Sequence, residues 1–189
     1  SGVASSPRVR DVLSFRAAAD ALPCSTRLLR AGDLTELADQ LGDASFDGAY
    51  SSFGALNTEP SLEQPLAALS RLVRPGGKIV LGVMNRWCAA EMALLVAGGR
   101  GKEALRRTRP SVRVAVGSSV AEVSYPSWRQ LSRALRHRFR IVSVQALPLL
   151  LLPYAWPALS SHRRLYAVLS GLDSVLAHRR PFAWLGDHL

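Results

Sequence analysis

Residues 46–86 read FDGAYSSFGALNTEPSLEQPLAALSRLVRPGGKIVLGVMNR, and this stretch decides the fold. The segments 46–51 and 78–84 predict two strands. Between them, leucines recur at helical spacing over 61–73, which predicts an amphipathic helix followed by a Pro-Gly-Gly turn. A helix that connects two strands in this way is a β–α–β unit, so at least part of the sheet is expected to be parallel.

The loop at 51–57, SSFGALN, follows the first of these strands. In parallel sheets, ligands bind at the carboxyl ends of the strands. This loop is therefore the first place in the chain to look for a functional site.

The residues before this stretch continue the same alternation. Val3 and residues 26–30 predict two further strands, and Ser6-Pro7 and Leu34 mark the starts of two helices. From Val3 to Met84 strands and helices alternate, which is typical of an α/β fold with a doubly wound, mainly parallel sheet. At 189 residues, the chain is predicted to be a single domain, 1–189.

The second half predicts a different series of elements. These are an apolar helix over 87–97, a helical turn over 103–108, a hairpin over 112–125, a helix over 128–137 capped by Ser127, a strand over 139–147, a helix over 161–177, and the start of a strand at 186–189. The helix and hairpin within 87–128 are interpreted as an insert.

The composition indicates in which cellular compartment the protein is expected. The apolar fraction is 48%, and Cys24 and Cys88 are too far apart to form a metal-binding cluster, so reduced thiols in a cytoplasmic protein are expected. No signal peptide is recognised. The longest apolar run, 146–158, contains three prolines and is shorter than the roughly 20 residues that span a bilayer. The sequence leaves open whether this apolar run contacts lipid or an apolar substrate.

The net charge of +10 is unevenly distributed, since residues 1–99 carry −1 and residues 100–189 carry +11. This asymmetry fits a polyanionic partner, an anionic membrane surface, or solvated helix faces that use arginine in place of lysine. The basic residues are scattered with little aromatic interleaving, which argues against a nucleic-acid partner.

Individually, the polar residues at the strand ends have two interpretations. Asp33 follows Gly32 at a strand end, where a carboxylate either caps the next helix or binds a ligand amine. Ser51 and Ser52 either bind a ligand or form a turn, and Phe53 either covers an apolar ligand or packs in the core.

Together, five segments resemble class I S-adenosylmethionine-dependent methyltransferases of the type called methyltransferase domain 11 or 25. The segments, in chain order, are SSPRVR (5–10), RLLRAGDLTEL (27–37), FDGAYSSFGALN (46–57), LSRLVRPGGKIVLGVMNR (69–86) and GDHL (186–189). The resemblance is most specific between Asp33 and Arg86. It implies a Rossmann-like methyltransferase fold and transfer of a methyl group from S-adenosyl-L-methionine to a small-molecule or lipid-like acceptor.

The resemblance also implies roles for the matched positions. Asp33 and the amide of Leu34 would bind adenine, and Ser51 and Ser52 would line the methionine end of the cofactor. Phe53 and Asn57 would face the cofactor or the substrate. Trp87 would contact the substrate, and the insert 87–128 would form a substrate lid.

The chain departs from the family at two places. The first strand and its glycine-rich loop have no counterpart, and Ala4 stands where the family places an acidic residue for the ribose. These departures fit either a fragment of a longer enzyme, cut within the second strand and within the last, or a diverged domain that binds the cofactor weakly.

Methyl transfer requires proximity and alignment rather than a catalytic dyad, so no residue is predicted as catalytic and no metal is expected. The four histidines are interpreted as surface or helix-end residues. Two alternatives to the enzyme remain: a non-catalytic interaction domain on the same fold, and a nucleic-acid-binding module that uses residues 100–140. A Rossmann dehydrogenase fits poorly, because no Gly-x-Gly-x-x-Gly precedes a helix.

Overall fold

The structure, a computed structural model, describes residues 2–4, 26–28, 34–52, 54–116, 119–151 and 162–189. The strands are β1 (Gly2–Ala4), β2 (Thr26–Leu28), β3 (Phe46–Ser51), β4 (Val73–Leu81), β5 (Val112–Val116) and β6 (Ser119–Val123). The helices are α1 (Leu34–Leu41), α2 (Glu63–Leu72), α3 (Ala89–Ala97), α4 (Gly101–Ala104), α5 (Trp128–Arg136) and α6 (Arg163–Leu176), with single 3-10 turns at Ala55–Thr58, Arg106–Thr108 and Phe182–Trp184. The structure is broadly α/β, as the sequence predicted, whereas the doubly wound, mainly parallel sheet stays a prediction.

The described strands form three two-stranded sheets. β1 and β2 are parallel, with Gly2 opposite Thr26 and Ala4 opposite Leu28. β5 and β6 are antiparallel, with Val112 opposite Val123, which confirms the predicted hairpin. The fold within the described residues is therefore a small parallel sheet, a separate antiparallel pair and the pair β3–β4. The helix predicted from Ser6-Pro7 lies outside the described residues.

The strands β3 and β4 approach each other closely at two glycines. A Cβ on Gly48 would lie 2.6 Å from the carbonyl oxygen of Lys78, and one on Gly77 would lie 2.6 Å from that of Asp47. Real Cβ atoms do not approach so closely, so both positions require glycine. The Pro-Gly-Gly turn predicted before β4 is incorporated into the strand, which begins at Val73 rather than at residue 78.

The chain divides into two compact units, and the first comprises Ser1–Ala49 and Glu63–Lys78. In it, α1 and α2 bury a cluster of Leu37, Ala38 and Leu72. Leu34 and Phe46 pack against this cluster as partly buried side chains. Leu72, one of the leucines whose spacing predicted α2, is thus part of this core.

The second unit comprises Tyr50–Leu62 and Ile79–Leu189. One cluster of its core consists of Leu56, Val83 and Leu131, and another of Ala146, Leu149 and Ala177. The helix α5 starts with the predicted cap: the Ser127 hydroxyl accepts a hydrogen bond from the backbone N–H of Gln130, whose side chain accepts one from the N–H of Ser127. This capping box holds Leu131 toward the core.

The segment at 186–189 lies between two other segments of the second unit. Leu189 exchanges both backbone hydrogen bonds with Val83, at 2.9 and 3.0 Å, and His188 exchanges both with Leu147, at 3.0 Å. The bridges from His188 to Met84 and to Leu147 are antiparallel. Gly186–Leu189 therefore pairs as a strand does, on both of its edges.

The strand predicted over 139–147 is wrong except at Leu147. Residues 139–146 have no strand assignment, and Val142 is 86% exposed. An extended segment becomes a strand only when its backbone groups find a partner. Of the described residues 139–147, only Leu147 forms such a strand pair, and its partner is His188.

None of the described helices is both long and apolar enough to cross a bilayer.

Candidate functional site

The predicted cofactor loop begins where β3 ends. Ser51 and Ser52 are both half-buried. The carbonyl of Ser51 accepts a hydrogen bond from the N–H of Gly82 at 2.7 Å, which fixes the end of the strand. Among the described residues, neither serine hydroxyl has a hydrogen-bond partner. These two sheltered hydroxyls can therefore bind a polar ligand.

Asn57 has a different environment from the one that the resemblance implied. Its side chain is fully buried, and Nδ2 donates to the carbonyls of Met84 at 2.8 Å and Ser124 at 2.7 Å. Its Oδ1 accepts from the N–H of Met84 at 2.8 Å. Both amide hydrogens are used inside the protein, so Asn57 joins three chain segments and has no free donor for a cofactor or substrate.

The remaining predicted site residues are in separate places. Asp33 and Phe53 lie outside the described residues, so the predicted meeting of their strand ends stays a prediction. Leu34 begins α1 and packs in the core of the first unit. Trp87, in the second unit, is 43% exposed, so its side chain is accessible to a substrate. The insert 87–128 forms α3, α4, the 3-10 turn and the β5–β6 hairpin.

A buried ion-pair network in the second unit was not predicted from the sequence. Arg107 contacts Glu91 of α3 and Asp187 of the C-terminal segment, each at 2.5 Å. Its guanidinium also lies 5.1 Å from the ring centre of Tyr125, a cation–π contact, and donates to the carbonyl of Asn85 at 3.1 Å. One arginine thus connects the insert to the C-terminal segment.

Ionisation of the network follows from its geometry. Burial acts to raise the pKa of Asp187, but the hydrogen bond from His188 and the charge of Arg107 outweigh it, so this pKa lies below its ordinary value. Burial acts to lower the pKa of Arg107, and the charges of Asp187 and Glu91 raise it above its usual range. Burial also raises the pKa of the Cys88 thiol. The pair is therefore charged at neutral pH and the thiol is protonated.

The same cluster has the side-chain donor atoms of a metal site, but its charges do not favour a cation. Cys88, Glu91 and Asp187 each offer one ligand atom, all within 4.8 Å of one another. Both carboxylates already contact the guanidinium of Arg107, whose positive charge would repel a cation. We therefore interpret the cluster as an ion-pair network. The signal that could have revealed it is Glu91, the single charge in the apolar helix AAEMALLVA.

A basic cleft of about 900 Å³ also lies in the second unit. Its described lining includes four arginines, two histidines, two tryptophans and an apolar edge, and no carboxylate is among these residues: Trp128, Arg136, His137, Arg138, Phe139, Arg140, Ile141, Val142, Ser143, Val144, His178, Arg180, Ala183 and Trp184. The rings of Trp128 and Trp184 stack with their centres 6.2 Å apart, and Arg180 lies 5.6 Å above Trp184. The fold thus places aromatic rings among basic residues that are far apart in sequence.

No protein-family model matches the chain, and no curated protein matches it. The resemblance to methyltransferases therefore rests on the five sequence segments alone.

Proposed function

We propose that this chain catalyses S-adenosylmethionine-dependent methyl transfer to a small-molecule or lipid-like acceptor. The observation that carries this proposal is the C-terminal segment. The resemblance implies that Gly186–Leu189 begins the last strand of the fold, and this segment pairs antiparallel with Val83–Met84 on one edge and Leu147 on the other. A loop or a free terminus would not be expected to pair on both edges.

The cofactor fits the described residues in part. Ser51 and Ser52 are half-buried, and their hydroxyls have no hydrogen-bond partner among the described residues, as the methionine end of the cofactor would require. Asn57 is withdrawn from the proposed site, because its amide hydrogens are used within the protein. Asp33, Leu34 and Phe53 remain proposed contacts, and Trp87 a proposed substrate contact.

When bound, the cofactor supplies an activated methyl group. The tasks left to the protein are to hold the acceptor in line and to exclude water. The exposed indole of Trp87 and the insert 87–128 are suited to covering a substrate. A cytoplasmic location remains part of the proposal.

Calorimetry with S-adenosylmethionine tests the proposal. The wild-type chain is compared with Ser51→Ala/Ser52→Ala and with the control Ser174→Ala, whose hydroxyl bonds only to the carbonyl of Gly171 within α6. Loss of one hydrogen bond is worth about 0.5–1.5 kcal/mol, so the double variant should weaken binding about tenfold and the control should not. If the wild-type chain releases no heat and transfers no methyl group, the interaction-domain alternative is favoured.

A second candidate function, nucleic-acid binding, is favoured by the basic cleft. Basic side chains beside aromatic rings are the means by which proteins hold single strands. Titration with a single-stranded oligonucleotide at several salt concentrations tests it. Binding that weakens steeply with salt, and that Arg138→Gln/Arg140→Gln reduces more than Arg109→Gln/Arg113→Gln, would support this function over methyl transfer.

A further inference from the structure

The helix α6 carries more apolar surface than the protein covers. At 100° per residue, Leu169, Asp173 and Leu176 lie on one side of the helix, and all three are buried or half-buried. A second apolar row lies beside them at spacings of three, four and three residues, within an arc of about 80°. Its members and their exposed fractions are Leu165 45%, Val168 60%, Leu172 45% and Val175 53%. We call this row the α6 apolar stripe.

Basic residues flank the α6 apolar stripe at both ends. Arg163 and Arg164 begin the helix, and Arg179 and Arg180 follow it; all four are exposed. Within the described part of the chain, none of these arginines takes part in an ion pair. No carboxylate of the described residues therefore neutralises these four charges, although Arg180 also contacts the ring of Trp184.

The one acidic residue of α6 faces the protein interior. Asp173 is 9% exposed, and its carboxylate accepts hydrogen bonds from three consecutive N–H groups, those of Leu149 at 3.3 Å, Leu150 at 2.6 Å and Leu151 at 3.4 Å. The outer surface of the helix therefore combines apolar side chains with positive charge and carries no carboxylate.

We infer that α6 is a membrane-surface element that lies flat on an anionic lipid bilayer. The α6 apolar stripe would enter the boundary between headgroups and acyl chains, and the flanking arginines would contact lipid phosphates. A basic helix with an apolar face is the composition that binds such surfaces. This inference goes beyond the proposed function and does not depend on methyl transfer.

A second copy of the chain is a poorer occupant of the same face. If two copies of α6 packed along their stripes, Arg163 and Arg164 would meet the same residues in a parallel pair. In an antiparallel pair, they would meet Arg179 and Arg180. Both orientations bring like charges together, whereas anionic lipid neutralises them.

Co-sedimentation of the full chain with vesicles tests the inference. The wild-type chain should bind vesicles of phosphatidylcholine containing phosphatidylserine at least about tenfold more tightly than vesicles of phosphatidylcholine alone. The variant Val168→Ser/Val175→Ser should weaken binding to the anionic vesicles about tenfold. Because both valines are more than half exposed, their replacement should not disturb folding.

Matched controls separate this face from general charge and hydrophobicity. Val120→Ser/Val142→Ser removes two valines elsewhere that are even more exposed, and it should leave vesicle binding unchanged. Arg163→Gln/Arg164→Gln should weaken binding about tenfold, whereas Arg109→Gln/Arg113→Gln, with the same change in charge, should not. Equal effects of test and control variants, or no binding by the wild-type chain, would overturn the inference. So would a dimer in light scattering that only Val168→Ser/Val175→Ser dissociates.

Discussion

Replacement of Asp187 by asparagine removes one charge from the buried network at nearly constant shape. The side chains of Arg107 and Asp187 are only 8% and 9% exposed. Removal of one partner from a buried ion pair costs about 3–5 kcal/mol, because the other charge remains buried without compensation. Since Glu91 still contacts Arg107, we expect the lower end, a loss of about 3 kcal/mol in the free energy of unfolding.

Urea denaturation followed by tryptophan fluorescence measures this loss. The stacked Trp128 and Trp184 lie in the same unit as Asp187 and report on its unfolding. The control is Glu103→Gln, which breaks an ion pair with Arg100 whose two side chains are more than half exposed. Exposed pairs contribute little, so the control should shift the urea midpoint much less. If both variants shift it equally, the network does not stabilise the fold as reasoned here.

The pH dependence has a definite sign. Because the pKa of Asp187 in the folded chain lies below the ordinary value of 3.8, its contribution is fully present above pH of about 4 and is lost as the pH falls through the folded pKa. The difference in unfolding free energy between wild type and Asp187→Asn should therefore be constant near neutrality and shrink in acid. A difference that grows below pH of about 4 would contradict the assigned direction.

Three further predictions follow from individual contacts in the structure. Asn57→Ala leaves three backbone groups without their partner and should reduce the free energy of unfolding by about 2–4 kcal/mol, measured in urea; no change would mean that the junction is dispensable. Gly48→Ala places a Cβ 2.6 Å from the Lys78 carbonyl and should cost about 1–3 kcal/mol in the same assay, whereas an unaffected midpoint would show that the strands separate freely. In a Cys24→Ser background, the buried Cys88 thiol should react slowly with Ellman's reagent in the folded chain and rapidly in urea; a fast folded-state reaction would show that it is accessible.

The sequence predicted best where local chemistry decides the structure. Ser127 and Gln130 form their capping box with neighbours in the chain, and the hairpin of β5 and β6 closes over a few residues. Helix α2 was likewise apparent from the spacing of its leucines. Such features need no distant partner, so a pattern within one segment is sufficient.

Features that depend on distant partners were predicted less well. The segment 139–147 has the composition of a strand, but a strand requires a neighbour to pair with, and composition does not supply one. Asn57 has the residue type and loop position of a ligand contact, yet its partners at Met84 and Ser124 were unknowable from the sequence. The sequence does not distinguish Arg107 from the other arginines, because only the fold brings it into contact with Glu91 and Asp187.

The carboxylate of Asp173 mechanically couples two parts of the chain. One side chain of α6 holds three successive backbone amides, those of Leu149–Leu151, so neither part can shift without stretching these bonds. A force applied to the outer face of α6 would therefore be transmitted to a run of leucines in the preceding loop. When a surface binds α6, the helix and these leucines should therefore move together rather than independently.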